Sequence, residues 1–138
     1  MMTTTKGRWI RFTVGVILAG IAAEWIHTTI GIPAPHYSTL IDTMAYLTKP
    51  LEALGVAVIY YFLGDRLPTR SRVLKGILLG LLILLTKGQL IREPLMNFLL
   101  PNTIGDVLLR QGQIWAANLA MAIIITLFVI PKYENRQI

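Results

Sequence analysis

Polar and apolar positions in this chain fall into long blocks, not into the short alternations of a half-buried sheet. Apolar residues dominate four stretches of about 20, each able to cross a hydrocarbon slab of about 30 Å at 1.5 Å per residue. The first covers residues 11–30, follows Lys6, Arg8 and Arg11, and closes on the turn sequence Gly31-Ile32-Pro33-Ala34-Pro35. The second covers residues 38–63, with Ser38 as N-cap and Gly64-Asp65 as its end. Pro50 lies inside it, where a missing N–H and a ring clash should bend the helix. The third, 73–93, carries the leucine block Gly76 to Leu85 and turns polar from Lys87. The fourth, 107–130, stops at Pro131. Between the last two, Pro94 to Asn102 reads as a short amphipathic or re-entrant segment. The expected fold is an all-α integral membrane protein, a four-helix transmembrane bundle forming one domain over residues 1–138.

Composition sharpens that reading. The chain is 54% hydrophobic and 14% charged, where soluble domains carry roughly 25% charge, and its mean hydropathy is +0.61. A soluble globular domain is excluded on this balance. The absence of cysteine removes disulfides, thiolate metal sites and iron–sulfur clusters. The net charge of +6 is split among short loops and so reads as topology, giving no reason to invoke nucleic acid.

Four crossings put Lys6, Arg8, Arg11, Arg66, Arg70, Arg72, Lys75, Lys132 and Arg136 on one side, nine of the thirteen Lys and Arg. Positive-inside topology then places both termini in the cytoplasm of a cell membrane, the inner membrane for a bacterial source. Aromatic residues agree: Trp9, Tyr60, Tyr61 and Tyr133 fall at the inner interface, and Trp25, Tyr37 and Trp115 toward the outer one. A competing reading takes Lys6 to Ala23 as a secretory signal peptide, but the apolar stretch continues through Trp25 and Ile26 to Ile30, a full span.

Ionisable groups gather in the outer half. Glu24 lies 13 residues beyond Arg11, Glu52 and Lys49 lie 13 and 16 before Asp65, and Lys87 lies 15 beyond Arg72. All four therefore sit roughly 18–24 Å from the inner edge, and Asn118, 14 residues before Lys132, joins them. An unpaired charge in hydrocarbon costs about 2.5–3.5 kcal/mol, so these groups must face one another, water or a ligand. Helical spacing converges them: Gly20, Glu24, His27 and Gly31 on the first span, Asp42, Tyr46 and Lys49 on the second, Gln89, Arg92, Glu93 and Met96 on the third, Asp106, Arg110 and Gln113 on the fourth. One reading pairs them as structural ions, Lys49 with Glu52 or Glu24 with Lys87. The other opens a polar outer-leaflet cavity lined by Glu24, His27, Lys49, Glu52, Lys87, Arg92, Glu93, Arg110, Gln113 and Asn118, for ligand binding or proton coupling. Away from this layer, Gly15/Ala19/Ala23, Gly76/Gly80 and Ala116/Ala120 are small-residue pairs that let helices approach closely.

No signature names a reaction. Glu24-Trp25-Ile26-His27 is a single Glu-x-x-His, where a di-iron bundle needs two plus further glutamates, and His36 falls in a Pro-rich loop unsuited to haem. No cofactor, metal site or catalytic residue is assigned, and enzymatic activity is disfavoured by the lack of a nucleophile elbow or P-loop. The chain resembles small multidrug transporters in size, span count and an acidic residue, Glu24, in the first span. Its basic N-terminus, Lys6 to Val14, is similar to that of small four-span proteins that move polyprenyl-phosphate sugars. Neither resemblance extends to a further motif, and no family is assigned. The expected role is binding or translocation of an anionic or amphiphilic small molecule, such as a lipid-linked head group, with membrane lipids as partners. The alternative is an accessory or assembly subunit of a larger membrane complex. Self-association as a homodimer is compatible with either.

Overall fold

A computed structural model of the chain describes residues 4–30 and 38–134. The turn at 31–35, His36 and the outer anchor Tyr37 lie outside the described residues. Among those described, the chain is all-helical: α1 (Thr5–Thr29), α2 (Thr39–Leu63), α3 (Arg72–Thr86), α4 (Arg92–Leu99) and α5 (Ile104–Phe128). Each long helix starts on a hydroxyl that accepts from an otherwise orphaned backbone N–H. Thr4 caps Gly7 at 3.2 Å, Ser38 caps Ile41 at 3.2 Å, Ser71 caps Leu74 at 3.4 Å and Thr103 caps Asp106 at 3.2 Å. α1 and α5 are long and apolar enough to cross a membrane.

α5 is the centre of the bundle. α1 and α3 pack along it, α2 packs on α1 and more lightly on α5, and α2 and α3 scarcely touch. Glycines make these approaches possible at named points. A Cβ on Gly15 would lie 2.6 Å from Phe128 Cβ, one on Gly76 2.6 Å from Ile123 Cα, and one on Gly80 2.8 Å from Leu119 Cδ2. The first small stripe, Gly15/Ala19/Ala23, is wholly buried, as are Gly76 and Gly80. On α5 the buried face is instead Val107, Ala117, Met121, Ala122 and Ile125, with Ala116 and Ala120 at its margin. Ile17, Leu18, Ile21, Leu51, Val58, Leu82 and Leu85 are exposed around the outside, an apolar surface that suits lipid better than water.

One expectation changes. The third helix does not run to residue 93: α3 ends at Thr86, because Gly88 takes φ +73° and closes it. Gln89 N–H donates to Leu84 O at 2.9 Å and Gly88 N–H to Leu85 O at 3.1 Å, the paired bonds of a Schellman cap. Arg92 and Glu93 therefore begin α4 instead of ending α3, and the segment expected to be amphipathic is the eight-residue helix Arg92–Leu99. Gly20, on the same stripe as Glu24, packs on Pro50, whose backbone N would stand 2.7 Å from a Cβ there. α2 remains helical through Pro50.

The start of α1, the end of α2, the start of α3 and the end of α5 meet at one end. Arg8 donates to Pro131 O at 2.8 Å, Arg11 and Arg72 donate to Leu127 O at 3.3 and 3.2 Å, and Lys132 N–H reaches Tyr61 O at 2.8 Å. Three guanidiniums thus satisfy carbonyls at and just beyond the C-terminus of α5, where the helix dipole favours cations. Trp9, Phe12, Tyr61 and Phe62 pack beside them, mostly edge to face.

Candidate functional site

The opposite end holds the polar layer. Lys49 and Glu52 share one face of α2 at i, i+3, and their charged groups meet at 2.8 Å. Lys87, the C-cap of α3, reaches across and donates to the other oxygen of the same carboxylate. Glu52 thereby bridges two lysines and ties together two helices that otherwise have little contact. The side chains of Lys49, Glu52 and Lys87 are 25%, 30% and 38% exposed, so this ion triad is open on one side. Two cations on one carboxylate leave a formal charge of +1.

Glu24 stands apart. The proposed Glu24–Lys87 pair is not formed, because Lys87 is committed to Glu52. Gly20 and Thr28, one turn either side of Glu24, touch Pro50 and Tyr46 of α2, so Glu24 faces α2. The residue is 7% exposed, and its carboxylate has no hydrogen bond or ion pair among the described residues.

Amides tie the remaining helix ends. Gln113, buried on α5, donates to the backbone carbonyl of His27 on α1, while the His27 side chain is exposed. Thr28 and Tyr46 hydroxyls meet at 3.2 Å between α1 and α2. Asn118 does not join the ionic layer; it donates back to Ile114 O of its own helix at 2.8 Å. Arg92 and Arg110 are exposed, Glu93 is half-buried, and none of the three makes an ion pair among the described residues.

A second knot was not anticipated. Gln111 Nε2 and Trp115 Nε1 both donate to Gln89 O, at 2.5 and 2.9 Å, fastening the α3–α4 turn to α5. The i, i+4 spacing of Gln111 and Trp115 was available as a signal, but a backbone acceptor in a turn carries no side-chain signature. Beside that turn lies a shallow groove of about 370 Å³ lined by Leu85, Gly88, Ile91, Arg92, Leu95 and Met96. No protein-family model, curated protein or solved structure matches this chain.

Proposed function

We propose that this is a four-span membrane protein, with both termini on the cytoplasmic side, that binds or moves an anionic or amphiphilic small molecule at its polar end. The open Lys49–Glu52–Lys87 triad carries the reading. The triad is partly exposed and carries a formal charge of +1, and Glu24, the other carboxylate of the layer, makes no ion pair with either lysine. Phosphate and carboxylate head groups are the usual counter-ions for such a cation. The topology is supported by the shared basic end, where arginines of α1 and α3 and aromatic side chains of α1 and α2 gather as positive-inside segments do. At 15 residues α3 is about 22 Å long, short of a full span, and the turn and α4 would supply the remaining depth.

The test compares thermal unfolding of the purified chain in detergent with added phosphatidylglycerol or phosphatidylcholine. The anionic lipid should raise the midpoint more than the zwitterionic one, and Lys49→Ala/Lys87→Ala should remove most of that difference. Arg66→Ala/Arg70→Ala, an equal charge change at the other end, should leave most of it. An undiminished difference in the lysine variant overturns the reading.

An accessory or assembly role is the second reading. It draws on His27, Arg92 and Arg110, all exposed and none with a side-chain ion pair among the described residues, as contacts for a larger membrane partner or a second copy.

A further inference from the structure

The groove beside the α3–α4 turn combines two chemistries. Leu85, Ile91, Leu95 and Met96 make it apolar, and Arg92 is the single charged residue among its lining. Its volume, about 370 Å³, is in the range of small-molecule sites. Gly88 makes the floor: an added Cβ would contact Arg92 Cβ and Cδ at 3.6 and 3.7 Å, so the aliphatic stem of Arg92 lies directly over the turn. The guanidinium itself has no hydrogen bond or ion pair among the described residues. Glu93, next in sequence, does not line the groove, and Glu52 is already held by two lysines. An arginine is always ionised and its planar fork suits carboxylate and phosphate oxygens. A free guanidinium on an apolar groove is complementary to a ligand with a negative head and an apolar tail.

We infer that this groove holds the hydrocarbon tail of an anionic amphiphile whose head pairs with Arg92. The inference rests on the ligand-binding reading above and specifies its substrate class: the ligand carries a chain as well as a charge. Lys87, one residue before Gly88, places the open triad next along the chain.

Trp115 supplies a local reporter, because its indole is bonded to Gln89, one residue beyond Gly88. The full chain carrying Trp9→Phe and Trp25→Phe, in phosphatidylcholine nanodiscs, is titrated with dibromostearic acid and, separately, with its methyl ester. Bromine quenches a tryptophan it approaches. The acid is expected to quench Trp115 at about tenfold lower concentration than the ester, the size of one charge-assisted contact. Arg92→Gln should abolish that preference while leaving quenching by the ester unchanged, and Leu95→Phe, which fills the groove, should weaken both. The Arg92 guanidinium makes no hydrogen bond or ion pair among the described residues, and glutamine keeps most of the aliphatic stem that lies over the Gly88 turn, so the variant removes the charge with little change in packing. Equal quenching by acid and ester, or a preference that survives Arg92→Gln, overturns the inference. If that occurs while the lysine-dependent effect of phosphatidylglycerol persists, the groove falls and the triad site stands. Loss of the phosphatidylglycerol effect with the acid preference intact supports the groove and removes the triad as the head-group site.

Discussion

At the scale of single residues, the decisive group is Glu52. Its two oxygens hold Lys49 and Lys87, so removing the carboxylate strands two ammonium groups in a setting where each unpaired charge costs about 2.5–3.5 kcal/mol at full hydrocarbon burial. The lysines are partly exposed and would relax toward solvent, which reduces the loss for Glu52→Leu to the order of 2 kcal/mol. Arg70→Leu removes an exposed charge with no partner among the described residues and should stay within about 0.5 kcal/mol of the parent. Thermal unfolding of both variants in detergent checks this, and equal midpoints would mean that the triad contributes nothing to stability. The i, i+3 half of the triad was readable in the sequence because both partners share a helix. The other half was not, since counting residues from a loop gives the height of a side chain in the bundle but not its azimuth. Glu24 and Lys87 have similar heights and face different neighbours.

At the scale of elements, glycines decide where helices stop and how closely they meet. Carrying the third helix on toward Pro94 takes it through the polar residues that begin at Lys87; the break is instead a backbone event at Gly88. The Lys87-Gly88 pair was its visible signal, a glycine at the position following a helix cap. An alanine there meets only ordinary contacts, so Gly88→Ala is opposed by its positive φ, at a cost of about 1 kcal/mol. Faster hydrogen exchange at the Gln89 and Leu90 amides, which both bond to Leu84 O, would report the loosened cap. Packing glycines behave differently. Gly20→Ala drives a methyl into the Pro50 backbone and should destabilise by about 1–3 kcal/mol, whereas Gly112→Ala, in α5 with open space around it, should stabilise by up to about 1 kcal/mol. A chemical-denaturation pair of these two variants separates close packing of α1 on α2 from helix propensity, and stabilisation by both would place the helices farther apart than described.

At the scale of the molecule, the two ends of the bundle are chemically opposite, and the difference can be read directly. One end gathers Arg8, Arg11 and Arg72 on the α5 terminus with aromatic rings beside them; the other gathers the triad and the glutamine knots. For positive-inside insertion the α2–α3 loop faces the cytoplasm and the segment between α4 and α5 faces outward. The lack of cysteine makes this testable with single introduced thiols and no background labelling. Pro68 and Asn102 are exposed and lie in those two loops. In intact cells a membrane-impermeant maleimide should label Asn102→Cys and spare Pro68→Cys, which becomes reactive only after permeabilisation. The reverse pattern would invert the protein while keeping its crossings. Labelling of both thiols in intact cells would instead mean that α3 and α4 return the chain to the same side. The outer-leaflet site would then be excluded on geometry, because the lysines of the triad would no longer lie at the depth that makes their unneutralised charge costly.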